Sequence, residues 1–123
     1  MPIAHTERGS RRYQVTGSGY PLLMLLPKST GPFGVKNLIH DLASRFSVLT
    51  YDPNNKYSVH AGAKSQDVSI EGFAEDAASF LTTIGKNEVI LCCHSTGCGV
   101  GLALAGRFPE LVKGLVLINP WLW

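Results

Sequence analysis

Apolar and polar positions along the chain switch repeatedly between a strand-like and a helix-like period. The first stretch, Ile3 through Val15, mixes Thr, Tyr and Val with Arg and His. It predicts one or two half-exposed strands with a turn at Glu7, Arg8, Gly9 and Ser10. Gly17-Ser18-Gly19 breaks the chain. Leu22, Leu23, Met24, Leu25 and Leu26 are apolar at every position, as a parallel strand covered on both faces must be, and Pro27 stops the run. A Gly/Pro loop follows. From Val35 the apolar residues fall at 35, 38, 39, 42 and 46, a helical spacing, with Asp41 and Arg45 read as an i,i+4 pair and His40 on the polar side. Residues 46–51 return to strand, and a polar, irregular loop runs to about Asp67.

Ser69 is a suitable N-cap for the next helix, whose apolar stripe is Ile70, Phe73, Ala74, Ala77, Ala78, Leu81 and Ile84, with Gly85 at the C′ position. Residues 88–93 form a further strand apolar on both faces. The segment from His94 to Gly97 is a sharp turn, and 97–107 a Gly- and Ala-rich helix stopped before Pro109. The last strand is 113–118, apolar on both faces from Leu115 to Ile118 and followed by Pro120-Trp121-Leu122-Trp123. The order β-β-β-α-β-α-β-α-β predicts one α/β domain over 1–123. Its sheet is mostly parallel, with right-handed crossovers that place helices on both faces.

Composition narrows the function classes. At 123 residues the chain is one domain, and 45% hydrophobic content excludes general disorder. The net charge is +2 and no basic run exceeds Arg11-Arg12, so no nucleic-acid partner is expected. No apolar run approaches the roughly 18 residues of a membrane span, and none has the form of a signal peptide, so no membrane partner is expected either. Three cysteines, Cys92, Cys93 and Cys98, share one segment. Odd in number and partly adjacent, they are no disulfide framework, and a reducing, cytoplasmic setting is the expectation.

The informative segment is Val89-Ile90-Leu91-Cys92-Cys93-His94-Ser95-Thr96-Gly97-Cys98-Gly99. A strand runs into a helix through one serine, with small residues two positions before it (Cys93) and two after it (Gly97). The spacing has a steric cause. Where a strand turns abruptly into a helix, residues two either side of the apex approach each other, and the apex hydroxyl is thrust above the sheet. The new helix aims its N-terminal N–H groups at the same point, which makes the Thr96 N–H half of an oxyanion hole. Two other readings of these residues fail. Cys92, Cys93, His94 and Cys98 match no common zinc spacing, and strand alternation sends Cys92 and Cys93 to opposite faces. Gly97, Gly99 and Gly101 evoke a dinucleotide loop, but the third glycine falls one residue early and Asn119, not an acid, ends the next strand. Close helix–sheet packing is the simpler reason for the glycines. Neither a metal nor a cofactor is expected.

The segment resembles the nucleophile elbow of the α/β-hydrolase family, and the likeness extends along most of the chain. Residues 13–19 before Pro21-Leu22-Leu23 resemble the family's opening hairpin and third strand, and Tyr51-Asp52 the end of its fourth. Ile70 through Leu81, Arg107-Phe108-Pro109-Glu110 and Leu115 through Pro120 follow in order. The resemblance implies serine-dependent hydrolysis of a carboxylic ester or similar acyl bond in a small molecule. Ser95 would be the nucleophile and Thr96 and Ser29 the oxyanion donors, with Cys93 and Gly97 shaping the elbow. Pro27-Lys28 stands where the family often has His-Gly.

In the family the catalytic acid and histidine follow later strands, so the resemblance implies the N-terminal half of the core, truncated after about six strands. Cap, acid and histidine would lie beyond Trp123. His94 reads as packed structurally, His60 is the one other mobile histidine, and His5 reads as surface. Two alternatives follow: a binding or interaction module that keeps the fold without the triad, or one chain of a two-chain hydrolase. The unpaired edge of strand 113–118, from Lys113 to Ile118, implies association with a second copy or with a complementary C-terminal chain.

Overall fold

The apolar stretches 22–25 and 89–93 lie in the middle of the sheet, and the mixed N-terminal hairpin lies at one margin. The structure, a computed structural model, describes residues 2–26, 35–51 and 69–120. Strands β1 (Ile3–Thr6), β2 (Gly9–Thr16), β3 (Tyr20–Leu25), β4 (Phe46–Tyr51), β5 (Val89–His94) and β6 (Val112–Ile118) form one sheet in the order β1-β2-β4-β3-β5-β6. Helices α1 (Val35–Leu42), α2 (Ile70–Thr83) and α3 (Gly97–Arg107) connect them, and a 3₁₀ turn, Pro109–Leu111, leads into β6. β1, β2 and β4 pair antiparallel. β4, β3, β5 and β6 pair parallel. The sheet is therefore mixed, with its parallel part made by the crossover connections.

Side-chain alternation along the parallel strands supplies two cores. Leu23, Leu25, Leu49, Leu91 and Cys93 pack with α2 and α3 on one face. Leu22, Met24, Val48 and Cys92 pack on the other, against Leu38, Ile39 and Leu42 of α1. Cys92 and Cys93 thus point to opposite faces, as alternation requires.

Local chemistry sets the ends of α2. The Ser69 hydroxyl accepts the Gly72 N–H at 2.9 Å, and Gly85 follows the C-terminus at φ 81°. The buried arc of α2 is wider than the apolar stripe predicts, because it includes Asp76 and Phe80. Phe80 is fully buried, edge-on to Tyr13 at 5.2 Å and stacked on Tyr51 at 4.6 Å. Asp76 receives Arg8 at 2.5 Å and the buried Arg11 at 3.0 Å, both from the β1–β2 hairpin. The hairpin covers a flank of α2 that a simple stripe leaves to solvent.

One local expectation is corrected. α1 ends at Leu42, and Arg45 lies in the following turn, where its N–H donates to the Leu42 carbonyl. The Asp41–Arg45 pair therefore does not form, and His40 Nδ1 lies 3.8 Å from the Asp41 carboxylate. As the sequence leads one to expect, β6 is an apolar strand at an edge of the sheet among the described residues, and Val116 (47%) and Leu117 (37%) are exposed.

Candidate active site

The turn expected at Ser95 is present. β5 ends at His94, α3 begins at Gly97, and Ser95 between them has φ 55°. A left-handed backbone at a non-glycine residue is costly and persists only where the surroundings impose it. Three contacts impose it here. The Ser95 N–H donates to the Ile118 carbonyl at 3.1 Å, so the end of β6 holds the apex. The Cys98 N–H donates back to the Ser95 carbonyl at 3.0 Å, which closes the first turn of α3. Gly97 lies flat on β3, and a Cβ there would collide with the Leu25 carbonyl oxygen.

Cys93 occupies the small position before the apex and is fully buried. The sequence reading did not find what accommodates it. A Cβ at position 101 would collide with the Cys93 sulfur, so Gly101, about one turn into α3, is the hollow that receives it. The usable signal was a sulfur at 93 paired with a glycine eight residues on. Close packing explains Gly97 and Gly101. At Gly99 the nearest atom, Ile70 Cδ1, would lie 3.5 Å from an added Cβ, an ordinary contact.

Ser95 and Thr96 are half-exposed at the C-terminal ends of the parallel strands, where ligands bind in open α/β sheets. The Thr96 side chain makes no cap bond, and its N–H has no acceptor among the described residues. The first turn of α3 holds no acidic residue. The positive end of the helix is therefore open to an anion or a developing oxyanion.

No hydrogen bond joins the Ser95 hydroxyl to a histidine or carboxylate among the described residues. His94 is half-buried, and its Nδ1 is buried without a partner among them. His5 is bound to Ser10 at 3.0 Å on the hairpin. Ser29, His60, Trp121 and Trp123 lie outside the described residues.

Burial pushes the Cys93 thiol up to about 12, with Cys98 and then Cys92 adding to the shift, and burial also raises Cys92. These thiols stay protonated at neutral pH, which makes them poor ligands and poor nucleophiles. Among the described residues no three His, Cys, Asp or Glu side chains gather to hold a metal, and no helix is long and apolar enough to cross a membrane. A groove of about 810 Å³ lies elsewhere, between Arg8, α2 and the link into β6, and no elbow residue lines it.

A serine at a strained strand-to-helix apex, on a mixed sheet of order 1-2-4-3-5-6, defines an α/β-hydrolase architecture. The family profile described as the alpha/beta hydrolase fold matches residues 26–122, and the chain belongs to that family. A protein of Azorhizobium caulinodans named as carbamate hydrolase RutD is 31% identical over 98% of this chain and 45% of its own length. The chain thus spans less than half of that relative. Among solved structures, the enol-lactonase of Burkholderia xenovorans LB400 superposes with a TM-score of 0.81 at 21% identity, over 97% of this chain and 46% of the other. An epoxide hydrolase of Bacillus megaterium superposes at 0.82 with 20% identity, over 97% and 42%. At these identities the structural likeness bears on the fold alone.

Proposed function

We propose that this chain carries the nucleophile half of a serine hydrolase acting on a carboxylic ester or a related acyl bond, with Ser95 as nucleophile. The observation that carries the reading is the Ser95 apex, strained at φ 55° beside the open N-terminus of α3. The Ser95 oxygen attacks the carbonyl carbon as its proton passes to a base. The carbonyl oxygen gains negative charge beside the Thr96 N–H and the end of α3, and Ser29 is the proposed second donor. Collapse expels the alcohol or amine and leaves an acyl ester on Ser95, which water then hydrolyses. A carbamate, the class named for the RutD relative, falls within this chemistry.

The acid and the histidine are proposed to come from chain outside these 123 residues. A positioned base contributes about 10²–10⁴-fold, so these residues alone should turn over slowly. The test is labelling of Ser95 by a fluorophosphonate, together with hydrolysis of an ester and carbamate panel by the 123-residue chain and by a longer chain. Labelling that survives Ser95→Ala overturns the reading.

The exposed Val116 and Leu117 favour a companion proposal: β6 pairs through its free edge with a second copy or with a complementary C-terminal chain. Light scattering across micromolar concentrations tests it, and a monomer at every concentration that also binds no C-terminal half excludes it.

A further inference from the structure

Among the described residues only two non-glycine positions have positive φ, Ser95 at 55° and Asn119 at 47°. They are neighbours in space although 24 positions apart in sequence. His94 and Ile118 are register partners at the ends of β5 and β6, so the two strained residues are the next step of each strand. One atom joins them. The Ile118 carbonyl oxygen accepts the Ser95 N–H at 3.1 Å and the Cys98 thiol at 3.8 Å. The chain leaves β6 immediately after that carbonyl, through Asn119.

The direction of the Ile118 carbonyl is set by the peptide unit it shares with Asn119. An extended residue at 119 would continue the strand. A left-handed one turns the chain away while the carbonyl stays aimed at the elbow. Asn tolerates that conformation better than any β-branched residue does. We propose that Asn119 is a positioning residue for Ser95: its left-handed backbone fixes the Ile118 carbonyl, and that carbonyl fixes the attitude of the Ser95 apex. The bond also engages the Ser95 N–H, whereas the Thr96 N–H has no acceptor among the described residues. The proposal rests on Ser95 being the nucleophile only where reactivity is read; the hydrogen bond is measurable without it.

Three variants at one position test the backbone role against a side-chain role. Asn119→Gly removes the carboxamide and keeps the left-handed backbone free of strain. Asn119→Val makes that backbone costly, and Asn119→Ala does so less severely should the valine variant fail to fold. Two measurements are taken on each folded protein: hydrogen exchange of the Ser95 amide, and the rate of fluorophosphonate labelling at Ser95. Asn119→Gly should match the parent in both. Asn119→Val, or Asn119→Ala in its place, should lose protection of the Ser95 amide and label about tenfold more slowly. A glycine variant as impaired as the valine variant would assign the effect to the carboxamide and overturn the proposal. So would a valine variant with parental exchange. If a longer chain that supplies the histidine protects the Ser95 amide but takes no label, the nucleophile reading fails while the positioning contact stands.

Discussion

The sheet has two edges, and the protein holds them by opposite means. At β1 the hairpin folds over α2 and is tied down from within: Asp76, 5% exposed, receives Arg8 and Arg11, and Arg11 is itself 2% exposed. Glu75 extends the cluster to Arg107 of α3 at 3.0 Å. At β6 the ionic tether is Glu88 to Lys113 at 3.3 Å, both well exposed, and the strand leaves Val116 and Leu117 bare. A buried charge cluster specifies one arrangement because any loss leaves an uncompensated charge. An exposed pair specifies little. Among the described residues the first edge is tied to the core by buried ions, whereas the second carries bare apolar side chains and an exposed ion pair.

The contrast breaks most severely at Asp76. Asp76→Ala leaves Arg11 buried without its carboxylate, and loss of one partner of a buried pair costs about 3–5 kcal/mol. Urea unfolding should show the unfolding free energy reduced by that amount, with the midpoint lowered in proportion. A midpoint within error of the parent would mean that the hairpin edge is no better anchored than β6.

Much of the fold was legible because its determinants are local. Pro27 after five apolar residues, Ser69 before the α2 stripe, and small residues either side of Ser95 each act within a few positions. The Asp76 cluster was not legible in that way. It joins positions 68 apart, and Asp76 reads as an ordinary surface acid until the hairpin is known to cover α2. Phe80 was missed for the same reason. At the site, Ser95, Thr96, Cys93 and Gly97 were visible as a spacing. The Ile118 carbonyl and Asn119 were not, because they come from the neighbouring strand and act through the backbone, where residue type says little. The spatial order of the strands was not legible, because periodicity marks each element but not which strand lies beside which.

Between the edges, the packing of α3 on β5 offers the next largest effect. Gly101→Ala forces a methyl against the Cys93 sulfur, and overpacking of this kind costs about 1–3 kcal/mol. Cys93→Gly should return most of that loss in the double variant, because it vacates the same space. Strictly additive costs in a double-mutant cycle would show that the two residues do not share a hollow. The same burial makes Cys93 inert. Iodoacetamide at pH 8 should modify it only after unfolding, since its thiol is held up to about 12.

At the open edge, charge should change association far more than stability. Val116 and Leu117 face opposite sides of the sheet, and the double variant Val116→Lys, Leu117→Lys places a cation on each. Exposed substitutions of this kind alter stability by about 0.5 kcal/mol or less. Light scattering should report less self-association, or weaker capture of a C-terminal half, with an unchanged unfolding midpoint. If the midpoint falls by as much as it does for Asp76→Ala, β6 is part of the finished core and the contrast between the edges disappears.

The smallest effect belongs to Glu88, which precedes β5 and links β3 to β6. Its carboxylate accepts the Tyr20 hydroxyl at 2.9 Å and lies 3.3 Å from the Lys113 ammonium. The Tyr20 hydrogen bond first, and then Lys113, hold its carboxyl below the ordinary carboxylate range, against a small opposing effect of burial. A carboxyl depressed in the folded state adds stability that is fully present above its unfolded value, near pH 4.3, and is lost as the pH falls through the folded value. Glu88→Gln should therefore be nearly silent at pH 7, where solvent and salt screen so exposed a group. It should flatten the acid limb of the stability curve below about pH 4.3. Tyr20→Phe should act in the same direction by removing the first of the two supports. The measurement is unfolding free energy against pH for the three proteins at low and at 1 M salt. Parent and Glu88→Gln curves that converge toward acid and separate slightly above pH 4.3 fit an exposed tether. A separation as wide as that produced by Asp76→Ala would mean that the β6 edge is ionically locked after all.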